Sequence, residues 1–363
     1  MPETPNTVKL PDTTKLVISS SPHVHAPRSS IRKIMFFVVL ALLPCVLASW
    51  WYFGLRALWV ILLTTVSSIA TEAIANRLLR QGLTIGDGSA IVTGLLLALT
   101  LPVSTPEWVC VLGGIIAIGL GKMVYGGLGY NPFNPALVGR VALLIALPTI
   151  MTTWVIPTAK QTSPQCNQTI CVAHRLTAWH SQKAVEQKVT ITGATPLASQ
   201  KPSHPHAVEA THWEMFLGNI PGSLGETSKL AILLGGLLLA LFGIIRWQVP
   251  LGYIGTVAVI TGIAHLIAPA TYPNPFTQIL SGGIFFAAFF MATDMVTTPL
   301  GRKGALIFAV GCGLITAVIR LWGSYPEGVT FAILIMNALT PLIDSMTAGR
   351  PFGHIRQIAK EVK

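Results

Sequence analysis

Two asparagines in the stretch GGLGYNPFNPALVGR (126–140) are the residues best suited to hold a ring-shaped ligand. Asn131 and Asn134 carry amide donors and acceptors, the groups that can pair with the polar edge of a flavin or quinone ring. Glycines and two Asn–Pro pairs cannot form a continuous helix facing lipid, and irregular backbone at membrane depth needs cover from protein or a cavity. On the residues alone, the stronger interpretation is a rigid turn in which Asn134 caps a helix beginning at Pro135.

Four carboxylates lie within or beside apolar segments, where ionisable groups are costly and usually face a protein interior or a water path. They are Glu72, Asp87, Asp294 and Asp344. Asp87 and Asp294 are candidates for an ion path and, equally, for structural charge pairs. The other two lie near the ends of their apolar segments, so we expect them to reach the interface or to pair with Arg77 or Arg140.

A polar segment, residues 156–228, holds most of the histidines and the stretch VTITGATPLA (189–198). Its histidines lack the spacing of a metal site, and we expect no metal. Two cysteines, Cys166 and Cys171, are too few for an iron–sulfur cluster; a disulfide between them stays open. The chain also lacks a dinucleotide fingerprint, so we expect no catalytic residues that act in the isolated chain.

The elements that carry these residues must be membrane helices. The chain has 363 residues, of which 52% are hydrophobic and only 10% charged, whereas soluble domains contain about 25% charged residues. The mean hydropathy is +0.65. The net charge of +11 is scattered between apolar runs, which indicates a signal for membrane topology and not a surface for nucleic acid.

The predicted fold is an all-α polytopic membrane protein with about ten transmembrane helices, because about 20 apolar residues are needed to cross a bilayer. The ten candidate spans are 34–53, 57–76, 85–102, 107–125, 135–155, 229–246, 250–268, 278–297, 304–322 and 328–346. They divide the chain into an N-terminal tail (1–33), a first five-helix half (34–155), the polar loop (156–228), a second five-helix half (229–346) and a C-terminal tail (347–363). Asp87 and Pro148 weaken the third and fifth spans.

Positive charge predicts the orientation of these spans, because lysine and arginine concentrate on the cytoplasmic side. With both termini in the cytoplasm, the short outer loops hold only Arg56 and Arg320. The cytoplasmic side then holds Lys9, Lys15, Arg28, Arg32, Lys33, Arg77, Arg80, Lys122, Arg246, Arg302, Lys303, Arg350, Arg356, Lys360 and Lys363. We therefore expect a multi-pass protein of the bacterial inner membrane whose loop 156–228 is periplasmic.

Five spans on each side of the loop would give the two halves opposite orientations. Each half contains an apolar run that ends in a Thr–Pro pair and is followed by a glycine-rich segment: TGLLLALTLPVSTP (93–106) in the first half and GGIFFAAFFMATDMVTTP (282–299) in the second. The sequence thus favours two inverted five-helix repeats, an arrangement common in transporters.

Several stretches together resemble the RnfD/NqrB family, the membrane subunits of Rnf complexes and of sodium-pumping NADH:quinone reductases. They occur in family order from residue 21 to the C-terminal tail, and the short N-terminal region is more similar to the Rnf member. The stretches are SPHVHAPRSSIRKIM (21–35), DGSAIVTGLLLALTLP (87–102), KMVYGGLGYNPFNPALVGR (122–140), TGATPLA (192–198), LGNIPGSLGETS (217–228), FFMATDMVTTP (289–299) and GSYPEGVTFAILIMNALTPLID (323–344).

The resemblance implies two flavins. In this family FMN is esterified to the last threonine of an S/T-G-A-T motif, which here is Thr195. Thr192 lies three residues earlier in the same motif and is the internal control for replacing Thr195. A non-covalent riboflavin is implied near the inner side, and Asn131 and Asn134 are the residues to which we assign it. The threonine supplies the hydroxyl that the ester requires, and a flavin transferase would attach the FMN.

The implied function is that of one subunit in an Rnf-type translocase. Such a chain passes electrons across the membrane between ferredoxin and NAD(H) modules, coupled to transport of Na⁺ or H⁺. Its implied partners are other membrane and peripheral subunits that bear iron–sulfur clusters and flavins. Three alternatives stay open: an NqrB-like subunit of a quinone reductase, a flavin-free solute or ion transporter with Asp87 and Asp294 in its path, and a scaffold without cofactor.

Overall fold

A computed structural model describes residues 30–80, 82, 84–155, 157, 211–269, 271–323 and 327–347. Within these ranges the chain is helical and contains no β-strand, which confirms the predicted all-α class. Most of the polar loop lies outside the described residues. The predictions for Thr192, Thr195, Cys166, Cys171 and the loop histidines therefore stay predictions, as do the boundaries of the five segments.

Within the described ranges, six helices are long and apolar enough to cross a bilayer, so the protein is a multi-pass membrane protein. These six are Ile31–Phe53, Leu55–Leu78, Glu107–Tyr125, Gln248–Ile267, Arg302–Trp322 and Val329–Thr347. In chain order the helices are α1 (Ile31–Phe53), α2 (Leu55–Leu78), α3 (Ser89–Thr100), α4 (Glu107–Gly119), α5 (Pro135–Ala146), α6 (Pro148–Met151), α7 (His212–Leu217), α8 (Lys229–Leu241), α9 (Gln248–Ile267), α10 (Pro275–Leu280), α11 (Ile284–Phe286), α12 (Arg302–Trp322) and α13 (Val329–Thr347).

Four of the predicted spans are shorter than a bilayer requires. Three of them, α3, α5 and α8, have 12 or 13 residues. Helix α3 ends at Thr100 because Leu101 adopts an extended conformation, and Pro148 separates α5 from the short α6. In the described residues, six of the ten predicted spans are thus long helices, and the others are half-length or broken.

The eighth predicted span is broken. Helix α11 is followed directly by a π-helical turn at Ala287–Met291, here called the π segment. Its Ala292 N–H bonds to the carbonyl of Ala287 at 2.7 Å, five residues back. Such turns are rare and frequently occur at functional sites. Half-length and broken helices at membrane depth are the elements that line binding sites in transporters with inverted repeats.

The two halves pack in the same order. Helix α2 lies against α4 and α4 against α5, and in the second half α9 lies against α12 and α12 against α13. The halves meet where α1 contacts α8 and where α5 contacts α13. This repeated order supports the predicted pair of five-helix repeats.

Small residues bring these helices close together. At Gly94 of α3 a Cβ atom would lie 2.7 Å from Thr65 Cα of α2, and at Gly235 of α8 it would lie 2.0 Å from the carbonyl oxygen of Ala41 in α1. Close backbone approach through glycine is typical of membrane helix interfaces, where dispersion drives association. The junction between the halves therefore depends on the absence of a side chain at Gly235.

Candidate functional site

One cavity, here called the principal cavity because both predicted asparagines line it, lies at the end of the bundle where α1 and α5 begin. It is lined mainly by apolar side chains from α1, α3 and α8, and Phe290 of the π segment closes one side. Both predicted asparagines, Asn131 and Asn134, line it, together with Lys122 and Asp294. The structure thus places these four polar residues at one cavity, although the sequence suggested different roles for the asparagines and for Asp294.

Asn134 is the N-cap of α5, as the sequence indicated. Its Oδ1 accepts hydrogen bonds from the backbone N–H groups of Ala136 and Leu137 at 3.0 and 3.4 Å. Its Nδ2 donates to the carbonyl of Met291 at 3.3 Å, which ties the first half of the chain to the π segment. In the amide orientation that satisfies both groups, Asn337 of α13 accepts from the Asn134 N–H at 3.1 Å.

Asn131 is held by its own turn. Its Oδ1 accepts from the Gly129 N–H at 3.3 Å and its Nδ2 donates to the Phe133 carbonyl at 3.0 Å. An amide nitrogen has two N–H groups, so Asn131 and Asn134 can each offer one more donor to a ligand. The residues are buried, and their orientation is fixed before any ligand binds.

Lys122, which lines this cavity, belongs to a buried ion pair. Lys122 Nζ lies 2.8 Å from Glu72 Oε1 and donates to Ser89 Oγ at 2.6 Å. Thr84 donates to the same Glu72 oxygen at 2.6 Å. The expected partner of Glu72, Arg77 or Arg140, was wrong: the pair forms with Lys122, which had been counted among the charges of the cytoplasmic side. Sequence position cannot show this, because the partner comes from another helix that packs against α2.

The two candidate ion-path carboxylates lie in different surroundings. Asp87 accepts from the N–H and the hydroxyl of Ser89 at 2.7 and 2.6 Å, so its carboxylate is held against the first residue of α3. Asp294, just after the π segment, accepts from the Val296 N–H at 3.4 Å and the Thr297 hydroxyl at 3.1 Å, and it lines the cavity. A role of either residue in ion transport stays a prediction.

A second polar cluster lies on the other side of the π segment. Arg140 of α5 forms an ion pair with Glu327 at 2.7 Å. Glu226, in the connection before α8, lies beside Glu327, and both line a small cavity with Arg140 and Met291. Because Phe290 lines the principal cavity and Met291 the small one, the π segment separates the two sites.

In each half a buried cation contacts the backbone or side chains at the start of the broken or half-length helix. Lys122, just after α4, contacts Ser89 at the start of α3. Arg320, in the last turn of α12, donates to the carbonyls of Gln278 and Ser281 at 2.6 and 3.1 Å, just before α11. Arg320 was expected in a short outer loop; it is instead 4% exposed and lies within a helix.

Three residues of the second cluster, Glu226, Glu327 and Lys229, were not among the predicted site residues. A signal was present, since Glu226 lies in LGNIPGSLGETS and Glu327 in GSYPEGVTFAIL, two of the stretches that carry the family resemblance. Carboxylates inside otherwise apolar or glycine-rich stretches are costly at membrane depth. Three further cysteines, Cys45, Cys110 and Cys312, are buried free thiols.

The fold and its site define a multi-pass helical protein with polar cavities on both sides of a broken helix. The model of the NQR2, RnfD, RnfE family matches residues 17–353, and the chain belongs to this family. It is 40% identical to the D subunit of the Na⁺-translocating ferredoxin:NAD⁺ oxidoreductase complex from Acetobacterium woodii, over 96% of this chain and 98% of that protein.

Two further relatives are similar over nearly their whole length. The D subunit of the ion-translocating oxidoreductase complex from Stutzerimonas stutzeri is 44% identical over 90% of this chain and 93% of its own. The D subunit of the proton-translocating ferredoxin:NAD⁺ oxidoreductase complex from Clostridium ljungdahlii is 40% identical over 93% and 96%. Of these three names, one gives Na⁺, one gives the proton and one gives no particular ion.

Proposed function

We propose that this chain is the D-type membrane subunit of an Rnf-type ion-translocating oxidoreductase complex. The observation that carries the proposal is the near full-length similarity to D subunits from three organisms. The chain would act only with partner subunits, because it has neither the cysteines for an iron–sulfur cluster nor a dinucleotide fingerprint. Those partners, bearing iron–sulfur clusters and flavins, exchange electrons with ferredoxin and NAD(H).

FMN esterified to Thr195 is the first element of the proposed function. It is supported by the motif Thr192-Gly193-Ala194-Thr195 in a chain that matches its family over residues 17–353. A tethered flavin cannot diffuse away from the complex. A flavin transferase would form the ester through the threonine hydroxyl, with loop 156–228 on the periplasmic side and both termini in the cytoplasm.

Riboflavin in the principal cavity is the second element, and the lining residues fit such a ring. Apolar side chains such as Leu96 and Phe290 can cover its faces, while Asn131 and Asn134 each retain an N–H for its carbonyl edge. Asp294, which lines the same cavity, offers an acceptor for a ring N–H. Ligand sites of this kind are mostly apolar, with a few fixed polar groups that orient the ligand.

Two flavins would divide the path of the electrons across the membrane into shorter steps. A flavin accepts one or two electrons, so it can link one-electron and two-electron carriers, and the protein supplies its position and electrostatic surroundings. The hydrocarbon core is about 30 Å thick, which a single cofactor does not span. The residues of the cavity would bind and orient the flavin ring and exclude water from it. Lys122 adds a fixed positive charge that Glu72 balances.

Replacement of Thr195 tests the covalent flavin. Thr195→Ala is expected to abolish flavin fluorescence of the chain on a denaturing gel and to stop electron transfer by the assembled complex. The matched control is Thr192→Ala, three residues earlier in the same motif, which should keep the flavin. Neither variant is expected to prevent assembly, because both threonines belong to the polar loop predicted to be periplasmic, and surface substitutions usually change stability by no more than about 0.5 kcal/mol.

The outcome also separates the alternatives. Fluorescence retained by Thr195→Ala would show that FMN is attached elsewhere, and a wild-type chain without covalent flavin would favour a transporter or a scaffold. An NqrB-like role would require quinone reduction by the purified complex in place of ferredoxin:NAD⁺ exchange. The coupled ion is measured in the same preparation, by following Na⁺ uptake and acidification in vesicles.

A further inference from the structure

Two carboxyl groups from distant parts of the chain meet beside the π segment. Glu226 lies in the connection between α7 and α8, and Glu327 in the connection between α12 and α13. A Cβ atom at Gly283 would lie 2.9 Å from Glu327 Oε1 and 3.1 Å from Glu226 Oε2. The glycine therefore leaves the space in which the two carboxyl groups lie against each other.

Each carboxyl group is otherwise held by donors. Glu226 Oε1 accepts from the Ser223 N–H at 2.9 Å. Glu327 Oε1 accepts from the Gly283 N–H at 3.0 Å, and its Oε2 from Arg140 Nη2 at 2.7 Å. The oxygen Glu226 Oε2 has none of these donors and faces Glu327. Two ionised carboxylates in contact repel each other, whereas one proton between them converts the repulsion into a hydrogen bond.

A small cavity opens onto the pair. It has a volume of about 20 Å³ and is lined by Arg140, Glu226, Glu327 and the π segment, which is room for about one water. Arg140 is 3% exposed, and within the part of the chain that the structure describes its Nη1 has no hydrogen-bond partner. A buried guanidinium donor without an acceptor points to a water that accepts from it.

Cations surround the pair on three sides. Arg140 belongs to α5, Lys229 to α8 and Arg320 to α12. Lys229 is fully buried, and its Nζ donates to the backbone carbonyl of Glu226 at 2.5 Å. Burial and the neighbouring Glu327 raise the pKa of the Glu226 carboxyl to about 7, against the opposing effect of Arg140 and Lys229. The neighbouring positive charges thus lower the proton affinity of the pair, so that the proton can be released.

We propose that Glu226 and Glu327 form a proton-binding site that holds one exchangeable proton between their carboxyl groups, linked to Arg140 through a water in the adjoining cavity. On deprotonation, the O–H bond of the carboxyl group breaks and the proton passes to that water. The side chain of Glu327 is 18% exposed, so exchange with the surroundings has a route. The site rests on this geometry and not on either proposed flavin.

The test is infrared spectroscopy of the assembled complex in lipid at a series of pH values. The wild type is expected to show a protonated-carboxyl band that is present at acidic pH, disappears with a midpoint near the pKa of about 7 and shifts in D₂O. In the difference between wild type and Glu226→Gln this band should be the main signal. The control is Glu107→Gln, which removes an exposed carboxylate paired with Arg56 and should leave the band unchanged.

A second variant provides the test if the Glu226→Gln complex does not assemble. Glu226→Asp keeps a carboxyl group but withdraws it from Glu327, so its midpoint should differ from that of the wild type. Identical carboxyl spectra for wild type and Glu226→Gln, or an unchanged midpoint in Glu226→Asp, would overturn the proposal. So would loss of the band on adding Na⁺ at constant pH, since the pair would then be a cation site. Flavin fluorescence on a denaturing gel reports separately on the covalent flavin.

Discussion

The two polar sites beside the π segment differ in how their charges are satisfied. At the principal cavity Lys122 faces a single carboxylate, Glu72, at 2.8 Å, with hydroxyl groups completing the set. At the small cavity two carboxyl groups face each other among three cations, two of which donate to backbone carbonyls. In the first arrangement each charge has a single opposite charge at contact distance, which suits a site that holds a neutral ring. The second is balanced between two charge states, which suits a group that binds and releases a proton.

Glu72→Gln should have the largest effect on stability. It leaves the ammonium group of Lys122 buried without its counter-charge, and removing one partner of a buried pair costs about 3–5 kcal/mol. We expect a marked fall in the thermal midpoint of the purified chain in lipid or detergent. The double variant Glu72→Gln/Lys122→Met should recover a large part of that loss, because it removes the unpaired charge. A double variant as unstable as the single one would show that the site depends on shape and not on charge.

Gly235→Ala tests the junction between the two halves. Its methyl group would lie 2.0 Å from the backbone carbonyl oxygen of Ala41, and overpacking of this kind costs about 1–3 kcal/mol. The matched control is Gly255→Ala in α9, where a Cβ meets no atom within 4 Å and alanine is the better helix former. Gly235→Ala should lower the thermal midpoint while Gly255→Ala leaves it unchanged or raises it; equal midpoints would contradict the close contact of α1 with α8.

Some of these features could be predicted from the sequence. The apolar runs predicted the helical membrane class, and the Asn–Pro pair predicted that Asn134 caps α5, because both signals are local. The pairs Lys122–Glu72 and Arg140–Glu327 were not visible. Their partners are 50 and 187 residues apart, and which side chains meet across helices depends on packing that a hydrophobic pattern does not encode.

The ends of the half-length helices could not be predicted from the sequence either. The run at 85–102 is apolar almost throughout, yet α3 stops at Thr100, where the chain turns to an extended backbone that bonds to the 218–228 connection. Leu99 and Leu101 accept hydrogen bonds from Gly225 and Leu224 at 2.6 and 3.1 Å. These bonds satisfy carbonyls that helix α3 leaves open, so a tertiary contact and not a local signal sets the end of the helix.

Asn134→Ala tests the principal cavity as a flavin site. Loss of a hydrogen bond to a buried ring edge costs about 1–3 kcal/mol, so the amount of non-covalent flavin released by acid should fall while covalent flavin is unchanged. Asn274→Ala is the matched control: Asn274 also precedes a proline and caps a helix, accepting from the Phe276 N–H at 2.9 Å, but it lies outside the cavity. If both variants lose flavin equally, the effect comes from the lost helix cap alone.

Glu107→Gln should have the smallest effect, and it calibrates the largest. It makes the same chemical change as Glu72→Gln, but the Glu107 side chain is 58% exposed and pairs with Arg56 at 3.2 Å. The amide oxygen of glutamine can still accept from Arg56 and from Trp59 Nε1, and Arg56 keeps its bond to the Thr105 carbonyl at 2.9 Å. Exposed ion pairs contribute up to about 1 kcal/mol and are screened by salt. The thermal midpoint should therefore fall slightly at low salt and match the wild type at high salt, whereas the deficit of Glu72→Gln should persist at both.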